Sequence, residues 1–159
     1  KKCVLVAAPH TSNHDFGLAR AACYIMNINI KYLIKKGWLF FPMGIFFKAT
    51  GAIAVDRKKS TNLVNGIVDL FNKSEELKVL ISPEGTRQSV TRWRTGFYYA
   101  ALGANVPIVL TYLDYKKKVA GIGPVLYPTG DFARDMQPVF DFYKDITPKN
   151  PLKYNLQIT

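Results

Sequence analysis

Ala8-Pro9-His10-Thr11-Ser12-Asn13-His14-Asp15-Phe16 is the stretch whose reading decides the fold. The apolar run Cys3-Val4-Leu5-Val6-Ala7 enters it as a buried strand, and an apolar-periodic segment leaves it from Phe16 as a helix. A strand that ends in a short polar turn and opens a helix sets polar side chains at the carboxyl edge of a sheet. Open α/β folds keep their ligands there. Ser12 with Asp15 three residues on is a capping-box variant, which starts the helix near Asn13. His10 then stands just outside the helix and Asp15 in its first turn, as H-x4-D.

That spacing has a chemical meaning. A carboxylate that accepts from one imidazole nitrogen fixes the tautomer and leaves the other nitrogen free as a base. Such a base suits removal of a proton from an alcohol as the alcohol attacks a carbonyl. A plainer reading stands beside it, in which Asp15 only completes the cap and His10 is a polar turn residue. His10, His14 and Asp15 also offer two imidazoles and a carboxylate to a metal. The chain has only 2 His and no Cys pair to complete a zinc shell, so no metal is assigned. His14 points away from Asp15, toward solvent or packing.

The chain has 159 residues, one domain's worth, and its hydrophobic content of 48% excludes disorder. Lys, Pro and Gly break every apolar run before transmembrane length. No signal peptide is read at Lys1, and a start without Met carries the expectation of a trimmed chain. Cys3 and Cys23 fall on apolar patterns and read as buried free thiols of a reducing compartment. Lys and Arg number 22 against 11 Asp and Glu, a net charge of +11. Such an excess implies a polyanionic partner: nucleic acid, an anionic membrane face or phosphorylated small molecules.

Strands and helices alternate along the chain. A helix with Leu18, Ala22, Ile25 and Met26 on its apolar stripe is followed by a strand at Ile30–Ile34. The aromatic stretch Lys35–Lys48 carries a Pro and two Gly and reads as short helical pieces. Ala52–Val55 is a strand, and Ser60 caps a helix with Leu63, Ile67, Leu70 and Phe71 on one face. Lys78–Ser82 is a buried strand, Trp93–Ala104 a helix, and Val106–Leu113 a strand with Pro107 at its entrance. Val119–Ile122 and Pro124–Tyr127 read as a hairpin. A last helix starts near Asp135 with Pro138 in its first turn. The expectation is a single α/β domain over residues 1–159, a mixed and mostly parallel sheet flanked by helices.

Three strands thus end in chemically loaded turns: His10 to Asp15, Asp56-Arg57, and Ser82 to Arg87. Arg57 and Arg87 each present a planar fork of donors to a phosphate, and Lys35 adds a point charge. Glu84 can hold an arginine in position or accept from a substrate hydroxyl. Taken singly, Arg57 with its two lysines also reads as a solvated loop, and Glu84 with Arg87 as a surface ion pair.

The blocks in this order resemble the glycerolipid acyltransferase family, that of bacterial 1-acyl-glycerol-3-phosphate acyltransferases. They are Pro9-His10 through Asp15, Gly51-Ala52-Ile53-Ala54-Val55-Asp56-Arg57, Pro83-Glu84-Gly85-Thr86-Arg87, and Val106-Pro107-Ile108-Val109. The resemblance covers residues 4–113, with a carboxyl-terminal hairpin and helix over 116–147. It implies a glycerol-3-phosphate acyltransferase-like fold. It also implies acyl transfer from acyl-CoA or acyl carrier protein to a hydroxyl of a lysophosphatidate-like lipid precursor, with no bound cofactor. By the same resemblance His10 is the general base and Asp15 its orienting partner. Arg57, Glu84, Gly85, Thr86 and Arg87 hold the acceptor, Arg87 most directly through its phosphate, and Lys35 assists. Ile53 and Ala54 stand where the family often has bulkier residues. That leaves another acceptor open, such as a lysophospholipid or an amino-acid lipid.

The Trp38–Phe41 and Ile45–Phe47 clusters are flanked by Lys35, Lys36 and Lys48. They suit a domain that is peripheral on the cytoplasmic face of an anionic membrane, and equally suit a core or an acyl-chain groove. A basic nucleic-acid-binding module is the competing class. Its charge is dispersed and no recognition motif accompanies it, so no nucleic acid is assigned as a partner. A catalytically dead relative that binds lipid is the third option, and the intact His10 and Asp15 speak against it.

Overall fold

The computed structural model describes residues 1–35, 37, 40–55 and 60–154. Six strands form one sheet: β1 (Lys2–Ala7), β2 (Lys31–Lys35), β3 (Ala52–Val55), β4 (Leu77–Ile81), β5 (Ile108–Asp114) and β6 (Val119–Leu126). Their spatial order is β3-β2-β4-β1-β5-β6. β1 to β5 run parallel, and β6 pairs antiparallel with β5. The expected mixed, mostly parallel sheet is therefore present. Parallel neighbours need crossovers, and helices supply them: α1 (Asn13–Ile25), α2 (Met43–Ala49), α3 (Ser60–Lys73) and α4 (Gly96–Gly103). α5 (Phe132–Tyr143) and a single 3-10 turn, Pro151–Lys153, follow β6.

Side-chain alternation gives the two faces of the sheet different coats. Val4, Val6, Val79, Ile108 and Leu110 pack with Ile67 and Phe71 of α3, Phe97 and Tyr98 of α4, and Met136, Val139 and Tyr143 of α5. This is the core, and its side chains are almost wholly removed from water. Leu5, Leu80 and Tyr32 share the other face by register. There Phe16 of α1 meets Tyr32 edge-on at 4.8 Å, and Arg20 lies over the same ring. The Tyr32 hydroxyl bonds Thr50 Oγ1 at 2.7 Å, so one tyrosine ties α1 and the end of α2 to the sheet.

Several expectations are corrected. The helix read from the stripe of Leu18, Ala22, Ile25 and Met26 is present as α1, ending at Ile25 and not near Asn27, with Leu18, Ile25 and Met26 exposed and only Asp15 in it buried. Cys3 and Cys23 are free but only partly buried. Ser60 opens α3 as its first residue instead of preceding it. Helix α4 starts at Gly96, not Trp93. The Trp93 ring is spent on the core against Tyr143, and the Arg94 amide bonds the Pro83 carbonyl instead of starting a helical turn.

The expected hairpin at 119–127 is one edge strand, β6, whose partner is β5. Its glycines mark close approach and not a turn. A Cβ at Gly121 would meet the Tyr112 hydroxyl at 2.7 Å and its ring at 2.8–2.9 Å, and one at Gly123 would meet Phe142. Pro124 is tolerated because an edge strand can leave one N–H position unpaired. Helix α5 begins at Phe132, capped by the Asp131 side chain, which accepts from the Arg134 amide. Pro138 therefore sits in the helix interior. It is exposed, so water can reach the Arg134 carbonyl that loses its helical donor.

Candidate active site

The parallel strands bring their carboxyl ends to one edge, and the turns after β1 and β4 meet there. The Ser12 capping box forms as the spacing requires. Asp15 Oδ2 accepts the Thr11 and Ser12 amides, each at 2.7 Å, and lies 3.4 Å from His10 Nδ1. Its other oxygen, Oδ1, accepts the Tyr115 hydroxyl at 2.6 Å. Asp15 is 4% exposed. Burial pushes its carboxyl up, but donation from His10, Tyr115 and the Ser12 and Thr11 amides outweighs this and holds it below the ordinary carboxylate value. The Asp15 carboxylate is thus both a helix cap and the neighbour of the imidazole. His10 presents its Nδ1 edge to Asp15 and keeps its side chain 24% exposed.

Glu84 sits behind His10. Its Oε1 accepts the His10 amide at 3.0 Å, and its Oε2 accepts the Ser82 hydroxyl at 2.7 Å. It is 4% exposed, and that burial pushes its carboxyl above the ordinary value despite both donors. The ion pair with Arg87 that the sequence suggests is absent among the described residues. Glu84 faces inward and ties the turn after β4 to the turn after β1.

Gly85 bends the second turn at φ 65°, and its amide donates to the Ser82 carbonyl at 3.1 Å. A Cβ there would lie 2.9 Å from Arg94 Nε. The Thr86 hydroxyl accepts the Gln88 amide at 3.3 Å. Arg87, Arg92 and Arg94 are exposed and line one cleft with His10 and Asp15. The cleft has a volume of about 1730 Å³. Beneath α1 it continues between apolar walls that include Leu5, Ala19, Cys23, Met26 and Leu80.

Of the residues singled out from sequence, His10, Asp15, Glu84, Gly85, Thr86 and Arg87 come together at this edge. Arg57 and the Lys35 side chain lie outside the described residues. His14 is turned away: its Nδ1 is 2.6 Å from Lys149 Nζ and 3.1 Å from Ser12 Oγ. Tyr115, Arg92 and Arg94 were missed. Two arginines just ahead of a helix N-terminus oppose its dipole, and that mismatch is a signal for an anion the sequence reading did not use. Tyr115 had no signal, because its contact spans 100 residues.

A protein-family model described as Acyltransferase matches residues 1–113, more than half of the chain. The chain belongs to the acyltransferase family. The matched part holds His10, Asp15, Glu84 and the three arginines, whereas Tyr115 and everything after it fall beyond. The fold of this chain is similar to the crystal structure of the 1-acyl-sn-glycerophosphate (LPA) acyltransferase PlsC from Thermotoga maritima. The TM-score is 0.60 at 16% sequence identity, over 87% of this chain and 61% of that one. The chain thus spans less than two thirds of the length of PlsC. No curated protein matches it.

Proposed function

We propose that the chain moves a fatty acyl group from a thioester, on coenzyme A or acyl carrier protein, to a hydroxyl of a lysophosphatidate-like lipid precursor. The observation that carries this reading is the His10–Asp15 pair at 3.4 Å, opening on a cleft rimmed by three arginines. With Nδ1 directed at Asp15, Nε2 is the nitrogen left for substrate. It takes the proton of the acceptor hydroxyl as that oxygen attacks the thioester carbonyl carbon. The imidazolium that forms is stabilised by the buried carboxylate. When the tetrahedral intermediate collapses, the carbon–sulfur bond breaks and the imidazolium returns the proton to the departing thiolate. No side chain becomes acylated in this scheme.

Arg87, joined here by Arg92 and Arg94, supplies forked donors for the acceptor's phosphate, with Arg57, Thr86 and Lys35 as further candidates. Glu84 contributes by holding the His10 backbone, and Gly85 by leaving room for Arg94. The apolar branch of the cleft under α1 has the chemistry of an acyl chain. A lysophospholipid or amino-acid lipid fits the same arrangement if its anionic group meets the same arginines. Membrane docking belongs to the same proposal. Tyr24, Ile25, Phe40, Phe41, Ile45 and Phe46 are exposed on α1, α2 and the segment before α2, and the chain carries a charge of +11.

The test is a panel of labelled palmitoyl-CoA and palmitoyl-acyl carrier protein against glycerol-3-phosphate, its acylated forms and amino-lipid acceptors. His10→Ala is expected to lower kcat on the preferred pair roughly thousandfold, the range for loss of a general base. Undiminished turnover by that variant removes the reading.

A further inference from the structure

The Asp15 carboxylate is held from two directions, and only one of them lies within its own turn. Oδ2 receives the Thr11 and Ser12 amides and faces His10 Nδ1. A carboxylate gripped by one oxygen still pivots about its Cβ–Cγ bond. Oδ1 is gripped by the Tyr115 hydroxyl at 2.6 Å, from just beyond the end of β5.

Tyr115 is in turn held by the chain that follows α5. Its amide donates to the Thr147 carbonyl at 2.9 Å. Three residues later the Asn150 amide donates to Thr11 Oγ1 at 3.2 Å, and Asn150 Nδ2 donates to the Thr11 carbonyl at 3.0 Å. Thr11 is 2% exposed and is itself one of the donors to Asp15. Residues 147–150 therefore brace both the tyrosine and the turn that it contacts. Tyr115 and the 147–150 segment both lie beyond the family-matched residues 1–113.

We propose that Tyr115 is a positioning residue for acyl transfer, its hydroxyl fixing the plane of the Asp15 carboxylate toward His10, with the 147–150 segment as its brace. This rests on the acyltransferase reading above. Tyr115 touches neither imidazole nor cleft arginine in the described contacts, so its action runs through Asp15. Burial and the adjacent carboxylate push its phenol well above the ordinary value, so it stays a donor wherever Asp15 is ionised. Phenylalanine keeps the ring and removes only the donor, which makes Tyr115→Phe the clean variant.

Tyr115→Phe is expected to lower kcat about tenfold while KM for acyl donor and acceptor stays unchanged, the mark of an interaction made in the transition state. Asn150→Ala is expected to act in the same direction and less strongly. His10 ring 15N spectra read the contact without turnover: one tautomer, protonated at Nδ1, dominates in the unmodified protein, and Tyr115→Phe mixes the two. A purely structural tyrosine would lower the thermal midpoint and leave both kcat and the ring spectrum as they were. Wild-type kcat in Tyr115→Phe, or ring spectra identical to the parent, overturns the proposal. His10→Ala run alongside separates the two failures. If it is inactive while Tyr115→Phe is fully active, only the tyrosine assignment falls; if it is fully active, the acyltransferase reading falls.

Discussion

Asp15 has two duties that different substitutions separate. Asparagine retains an oxygen for the Thr11 and Ser12 amides and can donate to the Tyr115 oxygen, so the cap survives and the negative charge does not. Alanine removes both. Asp15→Asn is therefore expected to fold with nearly the parental midpoint and to lose about 10²- to 10⁴-fold in kcat, because the imidazolium no longer has its counter-charge. Asp15→Ala is expected to lose activity and also about 1–3 kcal/mol of stability, from a lost cap and orphaned buried amides. Urea unfolding of the two variants beside their kcat values checks the separation. Equal stability losses would mean that the cap depends on the charge itself. At this scale the sequence was legible where contacts are local: Ser12, Asp15 and His10 are neighbours in the chain, and the capping box and the His10–Asp15 approach form as read. Glu84 and Tyr115 were misread or missed, since their partners lie 74 and 100 residues away.

Among elements, the buried parallel strands were the most legible, because continuous runs such as Val4–Val6 and Val79–Ile81 have few alternatives to a central strand. The errors fall where tertiary contacts overrule local pattern. Gly123 fell in the turn of the expected hairpin and is instead a space filled by Phe142, as Gly121 in the same strand is by Tyr112. The stripe that marked α1 as a helix is largely outward, since periodicity reports an apolar face without saying what covers it. Gly51 was placed correctly ahead of β3, and its geometry is demanding. It has φ 95°, and a Cβ there would lie 2.7 Å from the Ile30 carbonyl oxygen. Gly51→Ala is expected to cost about 1–3 kcal/mol, from the left-handed backbone and the displaced start of β2. Chemical denaturation measures it, and a change below about 0.5 kcal/mol would show that the β2–β3 edge adjusts freely.

Over the whole molecule, the sheet is lopsided. One face carries a three-helix core, whereas α1, α2 and the segment before α2 leave large aromatic and aliphatic side chains in solvent, Tyr24 at 87% and Phe41 at 82% exposure. No helix among the described residues is long and apolar enough to cross a membrane, and the membrane docking proposed above predicts binding through this exposed face. The expected result is co-sedimentation with vesicles containing phosphatidylglycerol, weakened by salt and by Phe41→Ser with Ile45→Ser. Equal binding to neutral and anionic vesicles would remove the electrostatic part, and unchanged binding by the double variant would remove the aromatic part.

The strut from Glu84 to the His10 amide bears on how the protein is made. The H-x4-D turn is synthesised before the residue that holds its histidine backbone, which lies 74 residues on, and Tyr115 comes later still. A nascent or prematurely terminated chain that carries both reactive groups therefore lacks the frame that aligns them. On the proposed function, acyl-transfer competence requires these later residues, so fragments that end before them are expected to be inert toward thioesters.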